Sequence, residues 1–450
     1  MKRKVLATLL SVTMVAGLLA GCGSSEETTT TTEATETETE ETTEEEPAAE
    51  EATDEEAAAT DGSAAIDALI ASTDGPVALT VWASEEDQDL TTELLESFKA
   101  LYPDVTFDIT LGACSEADTK DNVLVDIEAA ADVFAFADDQ IGELVAAGAL
   151  QPVSATYTYD VAAENVESSV EAASVDGTLY AYPMTADNGY FMFYDKSVFT
   201  EEDVQSLDKM MEVANAAGKK VSMDVSNGWY LYSFFAGAGL NVGLADDGIN
   251  NVCDWNAAGG TDVAQAILDI CANPGFLSCT DEEFATAIAE GTIAAGVNGT
   301  WRAADAEAAW GENYAACKLP TFTVAGEQVQ MSSYSGFKLI GVNPHSANIG
   351  WSMLLAEYLT NEDAQVARFS SRGLGPANIA AAASEEVQAS PAIAALGAQA
   401  EFATPQRVGG NFWTPAETLG KIFVGGNADG TDLQTLLDNA VDGIVQPVAE

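Results

Sequence analysis

The alternation of two hydrophobic periods between Val77 and Gly148 sets the narrowest limit on what this chain can fold into. Val77–Ala83 (VALTVWA) is a short apolar run, as expected of a strand buried on both faces of a parallel sheet. Leu90, Leu94, Leu95, Phe98 and Leu101 then recur at helical spacing until Pro103 stops the helix. Val105–Leu111 (VTFDITL) alternates as a strand, and Asp132–Ala137 (DVFAFA) reads as another. Ile141–Ala147 is helical, with Gly148 placed as a left-handed cap. The order β-α-β-α-β-α implies an α/β fold in which helices cover both faces of a mainly parallel sheet.

Further on, Tyr180–Tyr194 (YAYPMTADNGYFMFY) is strand-prone, with an Asp-Asn-Gly break inside it. Gly336–Asn343 (GFKLIGVN) is again a strand. Ile349–Leu359 and Asn361–Ser370 read as successive helices, the second opening at Asn361 with acids in its first turn. About 375 residues follow Gly75, more than one hydrophobic core normally serves, so two lobes are expected. No internal repeat is visible.

The N-terminus has a separate logic. Lys2, Arg3 and Lys4 precede an uncharged apolar stretch from Val5 to Ala20, and Leu19-Ala20-Gly21-Cys22 closes it. Residues 1–21 are laid out as a secretory signal peptide, too short to be read first as a membrane span. The small-residue site ending in Cys22 resembles a bacterial lipoprotein signal. That resemblance implies cleavage before Cys22, diacylglycerol on its sulfur, and a place on the outer face of the cell membrane. Residues 22–75 are read as a lipid-anchored acidic linker. Gly23–Asp61 holds 16 acids and no Lys, Arg or aromatic residue, so it cannot bury enough apolar area to offset ordering entropy. Disorder is expected there, and a flexible coil from Gly23 to Gly75 would reach roughly 40 Å. It serves as a spacer or only as a solubilising segment.

The formal charge is −57; setting aside the three N-terminal basic residues and the 16 linker acids leaves −44 on the body. Such a body repels phosphate polyanions, which excludes nucleic acid as a natural partner. Besides Cys22 there are Cys114, Cys253, Cys271, Cys279 and Cys317, an odd set without Cys-x-x-Cys, and one histidine, His345. No metal site and no cofactor are expected. Disulfide pairing among Cys253, Cys271 and Cys279 stays open, as do free thiols. Two calcium-like fragments, Asp246–Asn251 and Asn427–Asp432, lack a complete coordinating loop and read as turn and helix-start sequences.

From Pro76 onward the chain resembles the extracellular solute-binding proteins of ABC importers, in the maltose/maltodextrin-binding branch. The landmarks stand in that family's order. They are Trp82 closing the first strand before an acidic loop, Asp132–Asp139 (DVFAFADD), Gly148–Pro152 (GALQP) and Asp176–Pro183 (DGTLYAYP). Tyr194-Asp195-Lys196, Val297–Trp301 (VNGTW), Leu319-Pro320 and Asn411-Phe412-Trp413 complete the set. The resemblance implies a two-lobed periplasmic-binding-protein-like fold closing on ligand about a hinge. One lobe would comprise residues 76–182 plus about 341–382, the other about 188–335 plus 386–450. The implied partners are an oligosaccharide, most naturally a maltodextrin or α-glucan, and the permease subunits of an ABC transporter. The protein is expected to act as a monomer and not as an enzyme.

A pyranose offers an apolar C–H face and a rim of hydroxyls, so its binder needs flat rings plus carboxylate acceptors. Carried over by position, the stacking residues are Phe136, Trp229 or Tyr230, Trp301 and Trp413, and the polar ones Glu86, Asp139 and Asp187. Trp82 reads as core at its strand end, with a cleft role as the alternative. Two positions depart from the maltodextrin pattern: Asp87 and Gln140 stand where basic residues are expected, and Asp187-Asn188-Gly189 carries a one-residue insertion. The acids also suit a cationic solute such as a polyamine. A glycosidase with paired carboxylates is the enzymatic alternative; no Gly-x-Ser-x-Gly or His-Glu-x-x-His motif accompanies it.

Overall fold

The computed structural model describes residues 62–154, 156–245 and 248–447. The signal segment, Cys22 and the acidic run to Asp61 lie outside the described residues, as do Asp246 and Asp247 of the first calcium-like fragment. Ten strands build two five-stranded sheets. In chain order they are β1 (Val77–Ala83), β2 (Phe107–Ala113), β3 (Val133–Ala137), β4 (Ala181–Thr185) and β5 (Phe191–Asp195). Then come β6 (Lys220–Ser222), β7 (Phe276–Leu277), β8 (Ile293–Asn298), β9 (Tyr314–Cys317) and β10 (Lys338–Val342). Sheet one runs β2-β1-β3-β10-β4, and sheet two runs β7-β6-β8-β5-β9.

In each sheet four strands point one way and one opposes them. β10 is antiparallel to β3 and β4, and β5 is antiparallel to β8 and β9. Each opposing strand is the first one its sheet receives after the chain crosses from the other sheet. A chain leaving sheet one at the C-terminal end of β4 enters sheet two from that same edge, so β5 must run away from it. The C-terminal ends of the remaining strands therefore face the crossings, where open α/β sheets gather their ligand loops.

The period of two along each strand divides the core of sheet one. Val133 and Ala135 pack with Val77, Leu79, Val81, Ile340 and the helix Ile349–Thr360. Phe134 and Phe136 pack on the other face with Leu144, Leu150 and Leu339. Sheet two is covered by an aromatic-rich core that includes Phe234, Phe235, Trp255 and Phe412. The helix Glu362–Arg372 opens as its composition requires, Asn361 Oδ1 accepting from the Ala364 amide at 2.8 Å. Gly148 takes the left-handed conformation that ends the helix Ile141–Ala146, with φ of 71°.

Two boundaries differ from the sequence reading. The second strand begins at Phe107, not Val105, and Leu101 at the end of its preceding helix is 57% exposed. The return strand runs Lys338–Val342, within the expected Gly336–Asn343, because its pairing with Ala137 and Thr185 starts at Lys338. The span read as linker to residue 75 contains a helix, Gly62–Ala71. Its Ile66, Leu69 and Ile70, spaced three and four apart, pack on the sheet-one core, and Trp351 Nε1 donates to Thr73 Oγ1 at 2.9 Å.

The five described cysteines are free. Burial pushes the thiols of Cys253, Cys271 and Cys317 up to about 12 and that of Cys279 up to about 11. Asn427 and Asp432 do turn and cap work: Asn427 Oδ1 accepts from the Thr431 amide and Asp432 Oδ1 from the Thr435 amide, each at 3.1 Å. Among the described residues no metal-holding cluster occurs and no helix is long and apolar enough to cross a membrane. His345 is exposed ahead of the helix Ile349–Thr360.

Candidate functional site

The sheet-one wall of the site is made by turns at the ends of β1 and β3. In the turn Glu85–Asp87, Glu86 is half-exposed and Asp87 points inward. Asp87 Oδ1 accepts from Arg372 Nε at 3.0 Å, and Oδ2 lies 3.8 Å from Arg368 Nε. In the turn Asp138–Gln140, Asp138 Oδ1 accepts from the Phe337 amide and Oδ2 from Arg407 Nη1, both at 2.9 Å. Asp139 lies beside Gln406 and leaves Oδ1 shielded and unpartnered. Burial, and then the adjacent Asp138 carboxylate, push its pKa up to about 7. Gln140 braces the loop after β2: its Nε2 donates to the Glu116 and Ala117 carbonyls at 2.7 and 3.0 Å. The two positions where the family pattern has a cation thus hold a buried ion-pair acid and a loop brace.

The opposite wall begins where β8 ends. Asn298 Oδ1 accepts from the Gly299 amide at 2.8 Å, and the turn Thr300–Arg302 follows. The Trp301 ring lies so close to Gly299 that a Cβ there would come within 2.0 Å of ring carbon Cζ3. Trp301 Nε1 donates to Asp281 Oδ1 at 3.1 Å, and Arg302 Nε donates to both Asp281 oxygens at 3.0 Å. Burial alone would raise the Asp281 pKa, but the bonds from Arg302 and Trp301 outweigh it and hold the carboxyl below its ordinary value. Trp229 opens the helix Gly228–Gly237, where Asn227 Oδ1 accepts from its amide at 2.9 Å. Its Nε1 donates to Gln406 Oε1 at 2.6 Å. The Trp229 and Trp301 rings stand 5.8 Å apart, tilted by 33°.

Several contacts join the two walls. Arg302 Nη2 is 3.9 Å from Glu86 Oε1. Lys338 Nζ lies 5.4 Å from the centroid of the Trp301 ring. Gln406 stands beside Asp139 and takes the Trp229 indole N–H, and Arg407 links to Asp138. Glu86, Asp139, Trp229 and Trp301 are therefore brought together. Asp187 lies in the crossing between β4 and β5. Its Oδ2 takes the Thr300 hydroxyl and the Gly375 amide, while its Oδ1 is shielded and unpartnered.

Two aromatic assignments change, those of Phe136 and Tyr230. Phe136 is 0% exposed, in the core between sheet one and the helix Ile141–Ala146, because it shares the inward phase of β3 with Phe134. It offers no face to a ligand. Tyr230 is buried beside Tyr190, one residue around the helix from Trp229, with its hydroxyl 3.5 Å from Asn298 Oδ1. Trp413 is half-buried at the start of the helix Trp413–Val424, its ring 5.0 Å from that of Phe412. No ring contact ties it to the Trp229–Trp301 pair among the described residues.

The sequence reading passed over Glu116, Asp281, Gly299, Arg302, Lys338, Gln406 and Arg407. For the cations a signal existed. The chain has only 16 Lys and Arg, and every arginine after Arg3 (Arg302, Arg368, Arg372 and Arg407) forms an ion pair at these walls. Lys338 is the lone charge within an apolar strand.

The model of the family "Bacterial extracellular solute-binding protein" matches residues 93–395, more than half of the chain. No curated protein matches. Among solved structures, one with acarbose is 32% identical over 82% of this chain and 99% of its own, with a TM-score of 0.72. The maltodextrin-binding protein MalE1 from L. casei BL23, without ligand, is 26% identical over 83% of this chain and 100% of its own, with a TM-score of 0.68. The maltose/maltodextrin-binding domain from Bdellovibrio bacteriovorus bound to maltotriose shares the fold at 19% identity and a TM-score of 0.69. Two sheets whose ligand-loop ends meet at the chain crossings, and a family match running through both, place this chain in the bacterial extracellular solute-binding protein family, whose work is capture and not catalysis.

Proposed function

We propose that this protein captures a neutral oligosaccharide, an α-glucan of the maltodextrin type, between its two sheets and delivers it to the permease of an ABC importer. The observation that carries the reading is the pair Trp229 and Trp301, each with its indole N–H tied down, with the shielded, unpartnered oxygen of Asp139 on the other wall. Anchored indoles supply flat apolar faces, and an unpartnered carboxyl oxygen supplies an acceptor for a sugar hydroxyl. The maltodextrin and acarbose ligands named for the similar structures agree with that chemistry. Arg302, Lys338 and Arg407 offset the wall acids, which favours a neutral ligand over a polyamine.

In this reading the lobes are residues 76–182 with the return segment, and 188–335 with the C-terminal helices, and the protein works as a monomer. Cys22 carries the lipid and the acidic segment spaces the body from the membrane; incorporation of labelled palmitate, lost in Cys22→Ser, checks the anchor. The main test is calorimetry and tryptophan emission with maltotriose at low and high salt. Binding with little salt dependence is expected, since stacking and hydroxyl bonds are hardly screened. Silence across malto-, xylo-, manno- and fructo-oligosaccharides would overturn the sugar reading, and steeply salt-sensitive spermidine binding would replace it.

A further inference from the structure

We propose that Glu116 and Lys338 form a hydroxyl-binding subsite beside Trp301, in which one sugar hydroxyl accepts from the Lys338 ammonium and donates to Glu116 Oε1. The inference rests on the oligosaccharide reading and adds which groups recognise the sugar rim. Glu116 follows β2 and is 7% exposed, yet its Oε1 has no hydrogen-bond partner. Its cation is Lys338 Nζ at 3.8 Å, within ion-pair range but beyond hydrogen-bond length. Neighbouring acids are engaged elsewhere: Asp87 by Arg368 and Arg372, and Asp187 Oδ2 by Thr300 and Gly375.

The geometry selects a chemical class. An ammonium only donates and a carboxylate only accepts, whereas a hydroxyl oxygen does both. A hydroxyl set beside a 3.8 Å gap reaches both atoms with ordinary bond lengths and completes the shielded acceptor. An anionic group would meet the Glu116 carboxylate, and a cationic one the Lys338 ammonium. The pair is also held in place before ligand arrives. The Glu116 carbonyl accepts from the Ala137 amide at 3.2 Å and from Gln140 Nε2 at 2.7 Å, and Lys338 is paired within sheet one to Ala137 and Thr185. Gln140 thus has a positioning role for the Glu116 loop. The same Lys338 Nζ lies 5.4 Å from the Trp301 ring, so a pyranose on that ring brings its hydroxyl edge to the pair.

The experiment is calorimetry of the mature chain with maltotriose and its monodeoxy analogues. It compares wild type, Glu116→Gln, Lys338→Met and the double variant, with a thermal melt of each. The double variant removes both charges together and guards against misfolding from one unpaired buried ion. Each single variant is expected to weaken maltotriose binding tenfold or more. One monodeoxy analogue should lose about the same factor on wild type and nothing further on the double variant. Folded variants that bind within twofold of wild type overturn the subsite. So does a double variant that still discriminates every monodeoxy analogue as wild type does. Failure of wild type itself to bind maltotriose removes the oligosaccharide reading first, before any variant is consulted.

Discussion

Gly299→Ala isolates how the site holds its tryptophan. The backbone at Gly299 is extended, with φ of −96° and ψ of 178°, so alanine adds no backbone strain. The new methyl would stand 2.0 Å from Trp301 Cζ3 and 2.1 Å from Cη2. Carbon atoms pack at about 3.5 Å, so the ring must move by roughly 1.5 Å. That shift breaks the Trp301 Nε1–Asp281 bond of 3.1 Å, for which about 1 kcal/mol is a fair figure at a half-buried site. Misplacing the stacking face costs about 1 kcal/mol more. The lost bond weighs on free and bound protein alike and lowers stability, so only the stacking figure enters binding, a roughly fivefold weaker Kd for maltotriose. Calorimetry of Gly299→Ala reads that factor directly. The same substitution in a Trp301→Ala background should be nearly silent, since no ring remains to displace. Binding by Gly299→Ala within twofold of wild type, or an undiminished effect without the ring, refutes the reasoning.

Two further outcomes follow from buried carboxylates. Asp139 has its pKa raised from 3.8 up to about 7, so the folded state favours its neutral form. The stability this provides is fully present below about pH 4 and is lost as pH rises through about 7. The melting temperature of wild type relative to Asp139→Asn should therefore fall between pH 4 and pH 8, and a difference flat across that window contradicts the assignment. Glu357 is 0% exposed and accepts from the Tyr157 amide at 2.9 Å, the Thr158 amide at 2.8 Å and the Thr158 hydroxyl at 2.9 Å. Glu357→Ala strands two backbone donors and should cost about 3 kcal/mol in urea unfolding, with maltotriose affinity of the folded protein unchanged; a loss below about 1 kcal/mol would show that water repairs the gap.

What could be read in the sequence, and what could not, follows from the range of each signal. β1 and the helix starting at Ile349 were legible because their apolar residues repeat within a few positions, and that repeat is the packing itself. The helix Gly62–Ala71 was missed although Ile66, Leu69 and Ile70 carry the same signal, because the acidic run before it set the reading of its surroundings. Landmarks named both Trp301 and Phe136, and of the two Trp301 stands at a wall of the site, since a landmark fixes a residue in the chain while the strand phase decides which face Phe136 meets. The least legible part is the pairing across the walls. Glu116 and Lys338 are 222 positions apart and meet only because β10 enters sheet one backwards, beside β3. A strand arriving from the other sheet has to start at the ligand edge, so its first residue is delivered to the site whatever lies around it in sequence. Lys338, the first residue of β10, is the case in point: a cation in an apolar strand looks like a misplaced charge until the direction of the strand is known, and then it is a side chain placed at the mouth of the crossing.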